Sequence, residues 1–172
     1  AVLSLYANGR TTGLVLDSGE ATSSAVPVND GYYIPNVIQN IHLGGRDLTD
    51  YLCKILTELK STMSIEQKQA VKLKEELCYV SMNFDEEVDN FAGKEKTFEL
   101  PDNSLVVVHN QLIRCPELMF QPSLEDKETI GMHKLVIKAI EGCELDMQQP
   151  LLRSIVMSGG NTMFPNMPER LR

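Results

Sequence analysis

Gly13-Leu14-Val15-Leu16-Asp17-Ser18-Gly19-Glu20-Ala21 is the stretch on which the fold turns. A short apolar run gives way at once to an acid, a hydroxyl and a glycine, which reads as a buried strand ending in a tight bend. Downstream, Thr22 to Val28 reads as another strand, stopped by Asn29-Asp30-Gly31. Upstream, the apolar run Leu3 to Tyr6 is joined to the first strand through Asn8-Gly9, a dipeptide that readily takes the positive φ angles of a hairpin. The opening is therefore predicted as a three-stranded meander.

Beyond it, Gly44-Gly45 precede a run from Arg46 in which Leu48, Tyr51, Leu52, Ile55, Leu56 and Leu59 recur at helical spacing, predicting an amphipathic helix. A second helix is expected from Ser64, with Gln67 completing a capping box. It turns Ala70, Leu73, Leu77 and Val80 inward and leaves Lys74 and Glu75 toward the edge of that face. Residues Phe84 to Lys96 are acidic and read as a solvated loop. Lys96 to Leu100 and Leu105 to Val108 read as a hairpin about Pro101-Asp102-Asn103-Ser104. Pro116, Pro122 and the charged run Glu125 to Glu128 interrupt the chain before a third helix, Thr129 to Glu141, which Gly142 stops. Leu152 to Met157 reads as a buried strand running into Ser158-Gly159-Gly160-Asn161-Thr162. The expected organisation is a mixed α/β core, residues 1–43 with 128–172, carrying a smaller helical lobe inserted at 44–127.

Composition narrows the function classes. The chain has 172 residues, 42% of them apolar, enough to build a real core. Sixteen basic against 24 acidic residues leave a net charge of −8, which argues against a nucleic-acid partner. No apolar run approaches the roughly 18 residues of a membrane span, and the first residues lack the basic flank of a signal peptide. Cys53, Cys78, Cys115 and Cys143 stand far apart, and His42, His109 and His133 keep no metal-ligand spacing with them. They read as reduced thiols of a cytosolic or nuclear protein.

Two loops can carry chemistry. In Asp17-Ser18-Gly19-Glu20-Ala21 the small residues let backbone amides approach a phosphate, and a carboxylate at a strand end can hold waters on a divalent metal. An ordinary turn is the competing reading. Ser158-Gly159-Gly160-Asn161-Thr162 repeats the pattern with two glycines after a buried strand, against a plain strand-to-helix connection. Phe164 could stack on a flat ring or simply pack. Lys74 and Glu75 are adjacent and so form no intrahelical pair, and a solvated face is their plain reading. No nucleophile–base arrangement and no acid–base carboxylate pair follows from spacing.

These pieces occur together in one family. Ala1-Val2-Leu3-Ser4-Leu5-Tyr6-Ala7, Gly9-Arg10-Thr11-Thr12-Gly13, Leu16-Asp17-Ser18-Gly19, Gly45-Arg46-Asp47-Leu48-Thr49-Asp50-Tyr51-Leu52, Leu77-Cys78-Tyr79-Val80, Arg114-Cys115-Pro116-Glu117, Phe120-Gln121-Pro122 and Ser158-Gly159-Gly160 with Thr162-Met163 resemble actin, in order and across the whole chain. The resemblance implies one lobe, subdomains 3 and 4, of the actin/Hsp70/sugar-kinase (ribonuclease H-like) ATPase fold. The first phosphate loop and the water-positioning glutamine are expected ahead of Ala1, and further segments after Arg172.

By that resemblance Asp17 orders water on a Mg or Ca ion, and Ser18, Gly19, Glu20 and Ala21 form the second phosphate loop for ATP or ADP. Gly45 faces the nucleotide, and Lys74 and Glu75 meet base and ribose. Gly159, Gly160, Asn161 and Thr162 form the adenosine loop, with Met163 and Phe164 bordering adenine. Glu20 and Ala21 depart from the family's Asp and Gly, and Ser24 replaces a histidine near the hydrolytic water, which weakens proton relay there. Leu59 to Glu66 is shorter than its counterpart, and Gln148-Gln149-Pro150 replace a charged stretch.

Two functions are expected to compete. One is a cytoskeletal, cytoplasmic actin-like protein that assembles with actin or actin-related subunits, meets actin-binding proteins and hydrolyses ATP slowly when intact, this chain alone being inactive. The other is a non-catalytic actin-related scaffold subunit with a degenerate pocket.

Overall fold

The computed structural model describes residues 1–59, 65–100, 103 and 105–172. The expected cap at Ser64 and most of the Pro101–Ser104 turn lie outside the described residues. The chain divides into two units, Ala1–Gly45 with Lys127–Met163, and Arg46–Asp126 with Phe164–Arg172.

The first unit is built on a mixed sheet. Strands β1 (Gly13–Ser18), β2 (Ser23–Asn29), β3 (Tyr32–Tyr33), β4 (Gln39–Ile41) and β7 (Ile155–Ser158) run in the order β3-β2-β1-β7, with β4 also paired to β2. The β2–β3 hairpin turns through Asp30 and Gly31, both at positive φ, the geometry a two-residue hairpin loop asks for. β1 pairs antiparallel with β2 and parallel with β7, so the strand near the end of the unit lies beside the strand near its start.

The stretch before β1 is not the expected strand but helix α1 (Val2–Ala7). Its Leu5 packs with Val15, Val26, Val28 and Val156, and Val2 joins them one turn back. The i, i+3 spacing of Val2 and Leu5 is helical, and a run this short cannot be told from a strand by periodicity alone. Asn8-Gly9 caps the helix instead of turning a hairpin. Gly9 sits at φ +68°, its N–H donates to Tyr6 O at 2.9 Å, and Arg10 N–H donates to Leu5 O at 3.2 Å, a Schellman arrangement.

Helices α6 (Met132–Glu141) and α7 (Leu145–Leu152) pack on the sheet, α6 over β2 and β4 and α7 over β1. The third helix thus starts three residues later than its pattern suggested, with Gly131 at its N-cap. Leu152, expected in a strand, closes α7, which carries Pro150 in its second turn.

The second unit holds α2 from Arg46 onward (the helix spans Gly45–Leu59), α3 (Gln67–Leu77), α4 (Phe84–Asp89), the hairpin β5 (Lys96–Glu99) and β6 (Leu105–Val108), α5 (Gln111–Glu117) and α8 (Met167–Arg170). Leu48, Tyr51, Leu52, Ile55 and Leu56 of α2 are buried as their spacing predicts. Helix α3 starts at Gln67, and Gln69 Oε1 accepts from Glu66 N–H at 3.0 Å, so the capping residues lie two positions beyond the pair expected.

The acidic segment expected as a loop contains α4, whose Asp85, Glu86 and Glu87 fall in the first turn where the helix dipole favours them, while Phe84 and Phe91 are buried. Helix α5 gave no sequence signal, being buried nearly all round and containing Pro116. The C-terminal residues are tied into this unit by Arg170, which donates to Ser81 O and Met82 O and pairs with Glu117 at 3.0 Å.

Candidate functional site

The parallel register sets Asp17 beside Ser158, so the turns that follow β1 and β7 leave the sheet from the same end. That end, the carboxyl edge of neighbouring parallel strands, is where open α/β sheets place ligands. On the other side Asp17 is the register partner of Ser24. Ser24, Asp17 and Ser158 therefore stand in a row on one face, the face that α1 covers, and Ser4 Oγ reaches Ser158 Oγ at 3.2 Å.

The two turns are fitted together through backbone. Gly159 lies at φ +89°, and a methyl placed on it would sit 2.6 Å from the Ser18 carbonyl carbon, nearer still to its oxygen, and 2.9 Å from Asp17 Oδ1. Only glycine fits there. Gly44 is a second such position, since its methyl would meet Glu20 O at 2.5 Å and Ala21 C at 2.7 Å. Gly45 N–H donates to Gly19 O at 2.9 Å, and Gly19 N–H closes the turn on Thr22 O at 3.0 Å. Gly44 and the buried Ser23 are the participants that sequence reasoning missed, and the doubled glycine at 44–45 was the available signal for the first.

Around this joint the predicted residues fall into distinct roles. Ser18 and Asn161 are buried and bonded to each other. Glu20 and Ala21 are exposed at the tip, and neither takes a left-handed backbone angle, so the side chains that replace the family's Asp and Gly are accommodated without strain. Gly160 faces open space and is exposed, as is Met163. Thr162 caps its own turn, its amide and hydroxyl both donating to Gly159 O at 3.1 and 2.8 Å. No backbone carbonyl among the described residues accepts from the amides of Glu20, Ala21, Gly160 or Asn161.

Asp17, half-buried at the strand end with only serine hydroxyls beside it in register, suits a hydrated hard cation held through water. Among the described residues no group of three or more His, Cys, Asp or Glu gathers.

In the second unit, Lys74 is not at a solvated edge. It is 5% exposed, and Nζ donates to Thr49 Oγ1 at 2.9 Å. Glu75, the next residue of α3, is exposed, and Phe164 is buried. No helix among the described residues is long and apolar enough to cross a membrane.

The sequence pattern of the Actin family matches residues 1–73 and, in a second overlapping stretch, residues 62–172. The two stretches share residues 62–73. Matched from end to end, and folded as a mixed sheet with helices packed on it that fits one lobe of an actin-like ATPase, the chain belongs to the actin family.

Proposed function

We propose that the protein binds ATP or ADP with a divalent cation, Mg or Ca, as an actin-like component of cytoplasmic filaments or actin-related complexes, alongside actin, actin-related subunits and actin-binding proteins. The observation that carries this reading is the seating of Gly159 on Ser18 at the carboxyl end of the β1–β7 pair, which puts two small-residue turns at one edge. Glu20, Ala21 and Gly160 are exposed residues whose amides are donors of the kind a phosphate chain needs, and main-chain donors held in advance stabilise phosphate charge without reorganising.

The cation, when bound, would neutralise phosphate charge and polarise the γ-phosphoryl group. Asp17 would orient its water shell. Thr162, Met163 and Phe164 form the proposed adenosine side. Gly45, Lys74 and Glu75 enter the proposed set on the family resemblance alone.

A second reading, a scaffold subunit without turnover, draws on Ser24. The residue paired in register with Asp17 carries a hydroxyl, which neither ionises nor takes up a proton near neutral pH, so that position supplies no general base.

Calorimetric titration of the full-length protein with Mg-ATP tests both. Binding at about micromolar affinity or tighter, weakened by Asp17→Asn, supports the nucleotide reading. Absence of heat refutes it and selects the scaffold, whose pocket is degenerate.

A further inference from the structure

Asn161 is 6% exposed and spends both amide protons on the neighbouring turn, one on Ser18 Oγ at 3.0 Å and the other on Gly19 O at 2.7 Å. Ser18 Oγ lies 2.7 Å from Ser23 Oγ, and Ser23 Oγ donates to Leu43 O at 2.7 Å. A hydroxyl has one proton, so the direction of the chain is fixed. Ser23 gives its proton to Leu43, Ser18 gives its proton to Ser23, and Ser18 accepts from Asn161. The Ser18 hydroxyl therefore has no proton left for a ligand, although it lies in the proposed phosphate turn.

The consequence for the turn is directional. Gly19 O is held from two sides, by Asn161 Nδ2 and by Gly45 N–H. The peptide that carries this carbonyl also carries the Glu20 N–H, and in a trans peptide the two point in opposite directions. Anchoring the carbonyl inward aims the Glu20 amide outward at the exposed tip.

We infer that Asn161 is a positioning residue, acting on the nucleotide not by contact but by locking the Gly19 peptide so that the Glu20 amide faces the phosphate position. The nucleotide part rests on the function proposed above. The lock itself does not.

Hydrogen exchange on the nucleotide-free protein and calorimetry with Mg-ATP separate the two. Asn161→Ala should raise exchange roughly tenfold or more at the Gly19 and Gly45 amides, the two whose bonds close and anchor this turn, and weaken Mg-ATP by a similar factor. Asn161→Asp keeps the shape but at neutral pH faces Gly19 O with a carboxylate. It should show the greater loss and then regain protection as acidification returns one donor proton, a pH response the parent lacks at these amides and a space-filling role would not produce.

If Asn161→Ala fails to fold, Asn161→Thr, which keeps one donor, should show a smaller loss at the same two amides. Unchanged protection of Gly19 and Gly45 overturns the lock, whatever the nucleotide does. Lost protection with unchanged Mg-ATP affinity overturns the positioning role. Lost protection in a protein whose parent form gives no heat with Mg-ATP overturns the proposed function and upholds the lock.

Discussion

Gly159 and Gly160 are neighbours of the same type, yet the structure asks very different things of them, and alanine at each position measures the difference. At Gly159 the backbone sits at φ +89°, which costs an L-residue roughly 1–2 kcal/mol. The added methyl also meets the Ser18 carbonyl carbon at 2.6 Å and Asp17 Oδ1 at 2.9 Å. The first obstacle is main chain in a paired strand, so either the end of β1 or the start of the turn must move, at a further cost of roughly 1–3 kcal/mol. The expected loss is about 2–5 kcal/mol, which for a chain of this size lowers Tm by about 5–15 °C. At Gly160 nothing lies within 4 Å of the methyl and φ is not positive, so the change should stay within about 0.5 kcal/mol. Thermal unfolding of the two variants followed by circular dichroism is sufficient. Equal midpoints would refute the claim that the turns meet through backbone at Gly159, and with it the placement of both turns at one edge.

Three further outcomes are expected. Glu117 is fully buried with one oxygen on Arg170 and Gln121 and the other without a partner among the described residues, and burial holds its carboxyl above the ordinary range despite Arg170 and Gln121. A raised carboxyl favours the fold below its ordinary value near 4.5, and that contribution is lost as pH rises through the shifted value. Glu117→Gln should therefore gain on the parent as pH climbs from about 4.5, whereas Arg170→Met, which strands the carboxylate, should lose about 3 kcal/mol at neutral pH. Urea unfolding across that window checks both, and a stability difference between Glu117→Gln and the parent that does not grow with pH contradicts them. Ala21→Gly should lower stability by up to about 1 kcal/mol through added chain entropy, since Ala21 has an ordinary backbone angle. A gain in the same assay would mean that Ala21 is strained after all.

What could be read in advance, and what could not, follows from the range of the forces involved. The β1 strand, its turn and α2 are local patterns, and the sequence carries them in full. Asn8-Gly9 misled because a helix C-cap and a hairpin turn ask for the same positive φ, and only the packing of Val2 and Leu5 on Val156, far along the chain, decides between them. Lys74 misled in a similar way: a helical wheel places it near the apolar edge, but whether an ammonium is solvated or buried depends on its acceptors, and one of these is Thr49 on another helix. The candidate site shows the limit most clearly. Gly, Ser, Asp and Asn are the residues that hold a phosphate, and they are equally the residues a turn uses to hold itself. Ser18, Asn161 and Gly45 bond to the protein, while Glu20, Ala21 and Gly160 stand exposed. For Ser18 the assignment is set by the direction in which its proton is given, and that direction is decided by Leu43 O at the far end of the hydroxyl chain, which no motif contains. If the proposed site uses main-chain amides, it depends on the peptide planes more than on the side chains of Glu20 and Ala21, and the Gly19 plane is held by Asn161 and Gly45.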